Sequence, residues 1–299
     1  MNKELLREKR QHGSPLHPVS VYDIACPPDV PLLPLHWHDE LELFMLTQGR
    51  AVLRVGLAEY ELKAGEAVFI NSGELHAGFA TDGQECSFVA VVFHSGLLGG
   101  PGDPLYETYL DPLLRGRYTV PVHWRPGEPE HAGLLALLQQ AAEAQRAAAP
   151  VFELLTRGLL QQLVANLLRL GGPAPGAAAS AADRLKLERL KTVARYMQEH
   201  YAEPIRLGEL AALVSVNESY LCRFFKELTQ QTPMEYLHQV RVQQAALLLA
   251  GGSAKVMDVA LDTGFHHLSY FIAVFKQHFG CTPSAYRKRE QAAQGSGQG

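Results

Sequence analysis

Between Val19 and Val122 the apolar residues come in short runs: Phe44, Val52-Leu53 with Val55, Tyr60 with Leu62, Val68-Phe69-Ile70, then Phe88-Val89 and Val91-Val92-Phe93. Turn signals separate them at Gln48-Gly49, Lys63-Ala64-Gly65, Ser72-Gly73 and Asp82-Gly83. Strands this short and this regularly punctuated predict a sandwich or barrel. Alternation in Val52-Leu53-Arg54-Val55 is partial, which suits a barrel wall with a lined interior. Residues 95–125 are rich in Gly and Pro and read as loop, with a short helix over Leu105–Leu114. The period then becomes helical. Glu130–Ala148 and Val151–Leu170 predict a hairpin of two helices. In the second, Leu155, Leu159, Leu163, Leu167 and Leu170 step by three or four, and Leu160, Val164 and Leu168 widen the stripe. Such a hairpin either covers the barrel or pairs with a second subunit.

A Gly-, Pro- and Ala-rich stretch over 171–182 reads as a flexible linker. Beyond it, helices are expected over Leu185–Tyr201, Leu207–Val214, Asn217–Thr229, Met234–Leu249, Val256–Thr263 and His267–Phe279. Tyr220-Leu221-x-x-Phe224-Phe225-Lys226 followed by Thr232-Pro233-x-x-Tyr236 recurs, offset by 50 residues, as Tyr270-Phe271-x-x-Val274-Phe275-Lys276 and Thr282-Pro283-x-x-Tyr286. A short helix, a tight turn and a longer helix, made twice, predict paired helix-turn-helix units. The fold class expected is α+β and multidomain: a β-barrel with a helical hairpin, then an all-α domain. Its parts are a frayed, partly helical lead-in over 1–18, the barrel over 19–128, the hairpin over 129–170, the linker over 171–182, the helical domain over 183–290 and a disordered tail over 291–299.

Composition narrows the class. No apolar run is long enough to span a bilayer, and the charged N-terminus has no apolar core of a signal peptide, so no membrane partner is expected. Cys26, Cys86, Cys222 and Cys281 show no C-x-x-C spacing and read as reduced thiols of a cytoplasmic protein. The net charge of -4 is uneven: residues 183–299 carry 14 Lys and Arg against 11 Asp and Glu, the rest 13 against 20. Only the basic back half suits a polyanion.

The front half carries candidate chemistry. His36 and His38 are two residues apart, Glu42 keeps the same parity, and His76 from a neighbouring hairpin can complete a three-His, one-carboxylate set. Imidazole and carboxylate suit a divalent transition metal; the same side chains can instead line a small-molecule pocket by hydrogen bonding. Trp37 is either a stacking platform or barrel packing. This spacing resembles the two signature motifs of cupins. His36-x-His38-x3-Glu42-x6-Gly49 matches the first throughout; Gly65, Gly73 and His76 match the second, with Asn71 at its proline and Ala80 at its final asparagine.

The back half resembles the DNA-binding domain of AraC/XylS-type transcriptional regulators over residues 186–287. The residues that carry this are Ala260-Leu261-Asp262-Thr263-Gly264-Phe265, Ser269-Tyr270-Phe271, Phe275-Lys276, Gly280, Thr282-Pro283 and Tyr286-Arg287. The first unit matches through Ala211, Tyr220-Leu221, Phe225-Lys226, Tyr236-Leu237, Arg241 and Ala245, with Ser215 at the turn glycine, Asn217 at the capping serine and Gln230 at a glycine. The resemblance implies double-stranded DNA as partner, a ligand-responsive activator, a homodimer, and a small polar effector such as a sugar. With the apolar helix faces packed inward, bases are expected to meet Asn217, Glu218, Ser219, Cys222, Arg223 and Lys226 in the first unit. In the second they meet His266, His267, Leu268, Ser269, Ile272, Ala273 and Lys276. Arg223 is the candidate for a bidentate guanine contact; Lys226 and Lys276 suit phosphate; Arg241 is either a DNA contact or a buried structural partner. A non-enzymatic regulator is expected, the alternative being a metal-dependent cupin enzyme fused to a DNA-binding module.

Overall fold

Eight strands follow one another through the front half: β1 Val19–Cys26, β2 Leu33–His36, β3 Leu41–Gln48, β4 Arg50–Val55, β5 Ala58–Lys63, β6 Ala67–Ile70, β7 His76–Ala80 and β8 Cys86–Phe93. The computed structural model describes residues 6–8, 10–27, 32–81, 83–173, 178–251 and 254–295, with backbone alone at 173, 178–184 and 292–295. Two units emerge, Glu8–Ala181 and Met1–Arg7 with Ala182–Gly299.

In the first unit, two short strands, β9 Tyr118–Thr119 and β10 His123–Trp124, follow β8. One sheet runs β1-β8-β3-β6-β10 and the other β2-β7-β4-β5. Side chains of β3 alternate across its sheet. Phe44 and Leu46 join Leu53, Ile70, Phe88 and Val92 in the barrel core. Leu41, Leu43 and Met45 face the opposite way, with Phe69, Val91 and Phe93. Both faces of β3 are buried from Leu41 to Leu46, so its sequence there is apolar on both faces apart from Glu42. Glu42 shares parity with Phe44 and therefore points into the barrel.

The outer core is closed by α2 Pro129–Ala147 and α3 Phe152–Leu170, which bury Leu134, Leu138, Ala141, Leu160, Leu163 and Leu167 against it. The hairpin thus covers the barrel, while Val151, Leu154 and Leu155 stay exposed. The expected loop over 95–125 includes a π-helical turn Tyr106–Leu110 that runs into α1 Asp111–Leu114, and β10, which extends the larger sheet. Asn71, at the motif's proline position, donates from Nδ2 to the Leu113 carbonyl at 2.7 Å and ties the β6–β7 turn to that helix. Trp124 is fully buried and donates from Nε1 to the Pro121 carbonyl at 2.7 Å.

Three boundaries differ from the sequence expectation. The lead-in is neither frayed nor helical where described: Leu6 and His12 are buried and Glu8 donates its N–H to the Trp37 carbonyl at 2.9 Å. Residues 1–5 lie outside the described residues. The stretch 171–182, expected as a linker, has regular structure at both ends: Gly172–Pro173 (β11) pairs with β9 and helix α4 starts at Ala178. Alanine has the best helix propensity, so the Ala-rich end of that stretch joins the helix; residues 174–177 lie outside the described residues. The expected tail over 291–299 begins as helix, down to Gly295, and 296–299 lie outside the described residues.

The second unit holds α4 Ala178–Glu199, α5 Leu207–Leu213, α6 Glu218–Thr229, α7 Pro233–Gly251, α8 Val256–Asp262, α9 Leu268–Phe279 and α10 Pro283–Gly295. Leu190, Val193, Ala194 and Met197 of α4 are buried, as are Leu210, Leu221, Phe224, Phe225 and Leu228 of the first helix-turn-helix. A second core joins Val242, Ala245 and Leu249 of α7 to Val259, Phe265, Phe271 and Phe275. Each buried Leu or Phe side chain contributes about 1.5–3 kcal/mol, and α7 is the spine both cores share. Leu6 is placed in this unit, its N–H donating to the Tyr236 hydroxyl at 3.3 Å. Asn217 caps α6, its Oδ1 accepting from the Tyr220 N–H at 2.8 Å. Asn217→Ala is expected to cost about 1 kcal/mol, read as a drop of a few degrees in the thermal midpoint.

Candidate functional sites

Four side chains converge inside the barrel. His36 ends β2, His38 follows in the turn, Glu42 lies on β3 and His76 opens β7. All four are buried, and one ligand atom from each lies within 4.8 Å of the others. Strand parity alone does not bring them together, because His38 lies outside β2, between Trp37 and the bend at Asp39-Glu40.

Backbone carbonyls set the tautomers. His36 Nδ1 donates to the Pro34 carbonyl at 2.7 Å, His76 Nδ1 to that of Glu74 at 2.8 Å, and His38 Nδ1 to that of Glu40 at 3.2 Å. A carbonyl only accepts, so each Nδ1 bears a proton and each Nε2 is left to face the centre. Glu42 Oε2 sits 3.0 Å from His38 Nε2 and 3.3 Å from His76 Nε2. Burial pushes the Glu42 carboxyl up, but hydrogen bonds and charge from His38 and His76 outweigh this and hold it well below the usual carboxylate range. Burial pushes His38 down, yet the hydrogen bond and charge of Glu42 bring it above its ordinary value. Burial and the neighbouring His76 lower His36 to about 4.

Three inward imidazole nitrogens and a carboxylate are all acceptors in their neutral or ionised forms, so the centre requires a cation: a proton shared with His38 or a metal ion. Donor atoms bound to one ion at about 2.1 Å stand roughly 3.0–3.5 Å apart, and the Glu42 separations fall in that range. The carbonyl acceptors behind each ring are the supporting groups metal-bound histidines require. The residues fit a first-row divalent ion. Trp37, between His36 and His38 in sequence, is buried. His123 is engaged elsewhere, 2.8 Å from Glu66 Oε2.

In the helical unit, the positions expected to meet bases are mostly open to solvent. Asn217, Glu218, Ser219, Arg223 and Lys226 are exposed and Cys222 is half-buried. Arg223 extends over the Tyr220 ring at 5.8 Å. Ahead of α9, His266 and His267 are exposed, as are Leu268, Ser269, Ala273 and Lys276 on it. Ile272 departs from this set: it is half-buried against the second core, because that core wraps further round α9 than the repeat implies. Arg241 is structural. Its Nε donates to the Tyr201 carbonyl at 2.7 Å and its Nη2 to that of Glu203 at 2.8 Å, and it is buried away from the exposed faces of α6 and α9.

Known proteins share both parts. Residues 17–164 match the family described as AraC-like ligand binding domain, and residues 210–289 match one described as Helix-turn-helix domain. The chain is 26% identical over 285 residues to the uncharacterized HTH-type transcriptional regulator YdeC of Bacillus subtilis, covering 95% of this chain and 96% of that protein. It is 25% identical over 287 residues to the HTH-type transcriptional activator RhaS of Klebsiella pneumoniae, covering 94% and 98%. The MmsAB operon regulatory protein of Pseudomonas aeruginosa is 27% identical over 265 residues, covering 86% and 78%. No helix among the described residues is long and apolar enough to cross a membrane.

Proposed function

Because this chain belongs to the AraC-type transcriptional regulators, we propose that it is a cytoplasmic activator that reads DNA through α6 and α9 and senses a small polar metabolite, such as a sugar, at the His/Glu centre. The observation that carries the DNA reading is Arg223. It is exposed in the N-terminal half of α6, the end a recognition helix offers to base edges, and no carboxylate pairs with it among the described residues. A divalent ion held by His36, His38, Glu42 and His76 would supply a Lewis-acid anchor for oxygen atoms of the effector. The exposed Val151, Leu154 and Leu155 support a homodimer built on α3.

Arg223→Ala tests the reading in a gel-shift assay on DNA selected by recovery with the wild-type protein. A bidentate contact is worth about 1–3 kcal/mol, so binding is expected to weaken about 10–100-fold and specificity to relax at one position. Lys226→Ala should instead weaken all sequences alike and lower the salt slope by about one. Unchanged affinity and sequence preference for Arg223→Ala would remove α6 as the reading helix. The same four-donor centre is the one feature that favours a metal-dependent enzyme fused to a DNA-binding module, and stoichiometric metal with turnover of a metabolite would establish that alternative. The relatives named as regulators support the non-enzymatic reading.

A further inference from the structure

Glu8 and His12 bring two more polar side chains towards His36 and His38, ahead of the stretch 17–164 that matches the ligand-binding family. The bond from the Glu8 N–H to the Trp37 carbonyl, 2.9 Å, holds this segment alongside His36 and His38. The Glu8 carboxylate, 11% exposed, places Oε2 3.6 Å from His36 Nε2 and 3.4 Å from His12 Nε2. His12 is itself buried, with its ring centroid 5.6 Å from that of His38 and its Nδ1 2.9 Å from the Tyr22 hydroxyl. When that hydroxyl donates to Nδ1, His12 Nε2 carries the proton and faces the Glu8 carboxylate across 3.4 Å.

We propose that Glu8 is a fifth protein donor to a divalent ion at the centre, joining His36, His38, Glu42 and His76, and that His12 orients its carboxylate. The inference rests on the metal reading of the centre given above. Three observations support it. His36 is held with its proton on Nδ1, so Glu8 faces a nitrogen lone pair; two acceptors 3.6 Å apart are reconciled by a cation between them. That separation lies close to the spacing of donors sharing one ion. Charge agrees as well. One buried carboxylate leaves a dication half neutralised, whereas Glu8 and Glu42 together neutralise it in a site from which water is largely excluded. Three imidazoles and two carboxylates would leave a six-coordinate ion one position for an effector oxygen. That donor set suits iron, manganese, cobalt or nickel as well as zinc.

Cobalt(II) titration of the full chain tests this, because its visible absorption reports coordination number and its titration reports affinity. Wild-type protein is expected to show the weak bands of a five- or six-coordinate ion. Glu8→Gln is expected to bind cobalt about 10–100-fold more weakly and to shift the bands towards the stronger absorption of lower coordination. His12→Asn should weaken binding by less and leave the band pattern unchanged, since it removes only the orienting group. Glu42→Gln serves as the control that disables the centre itself, and circular dichroism confirms that each variant is folded. If wild-type and Glu8→Gln proteins bind cobalt with the same affinity and spectrum while Glu42→Gln does not bind, the Glu8 assignment is wrong and the metal reading stands. If wild-type protein binds no cobalt, both fall.

Discussion

Replacing Glu42 with glutamine is expected to lower the affinity of the full chain for divalent ions by more than about 100-fold, beyond the 10–100-fold typical of losing a supporting group. Glu42 is the one carboxylate of the four convergent donors, and it is buried between His38 and His76 at 3.0 and 3.3 Å. Those two partners hold it ionised against the cost of burial. Glutamine keeps the shape but not the charge, and its amide N–H can donate to an inward imidazole nitrogen. The barrel should therefore fold with an unoccupied centre. Glu42→Ala differs, because it leaves three buried imidazoles facing a void and is expected to destabilise the first unit by roughly 3–5 kcal/mol, the range for breaking a buried ionic partnership.

Isothermal titration with zinc or cobalt reads the first effect and a thermal melt the second. In the regulatory assay, Glu42→Gln should lose the response to effector while retaining the basal DNA affinity of the wild-type protein, since α6 and α9 are untouched. Wild-type metal affinity in Glu42→Gln would show that the histidines hold the ion without this carboxylate, whereas no metal binding by the wild-type protein would show that the cluster is an internal hydrogen-bond network and that the effector is recognised without an ion.

Much of this was legible from spacing because local rules dominate. His36, His38 and Glu42 follow a fixed local spacing, His76 comes from β7, which pairs with β2, and the repeat shows which faces of α6 and α9 are apolar. What spacing leaves out depends on contacts distant in sequence. Glu8 and His12 lie in a charged stretch with no period, and only their approach to Trp37 and His38 makes them part of the centre. The alternatives for Arg241 separate only when its carbonyl acceptors near the end of α4 are seen. Ile272 follows the exposed face by counting, yet the second core reaches it because Phe275, Phe279 and Tyr286 stack along that side. Near Gly172 the sequence reads as linker because Gly and Pro carry no signal for the strand pairing with Thr119 and Tyr118.

Gly264→Ala is expected to destabilise the helical unit on the order of 3 kcal/mol, the sum of a left-handed backbone penalty of about 1–2 kcal/mol and overpacking of about 1–3 kcal/mol. Gly264 joins α8 to α9 at φ +82° in buried surroundings, and an added Cβ would stand 2.8 Å from the Tyr201 carbonyl oxygen, 2.9 Å from Arg241 Nε and 3.0 Å from the Ala202 carbonyl oxygen. Two of these are backbone atoms, and the third belongs to a guanidinium already fixed by the Tyr201 and Glu203 carbonyls, so none yields cheaply. Relief requires the turn to move, and Phe265, which is buried directly after it against Phe271, would move with it. The orientation of α9 then suffers, so DNA affinity should fall with stability. For a unit of this size the thermal midpoint is expected to drop by about 10 °C. The equivalent position in the first unit supplies the control. Ser215 already adopts φ 53° and is exposed, so Ser215→Gly relieves a left-handed serine and should leave stability unchanged or raise it by up to about 1 kcal/mol. Equal melting behaviour of the two variants would mean that the approach of Gly264 to the Tyr201-Ala202 backbone and Arg241 is looser than the structure shows. A loss confined to Gly264→Ala would place the rigid joint of the helix-turn-helix pair in its second copy, the one that keeps the glycine.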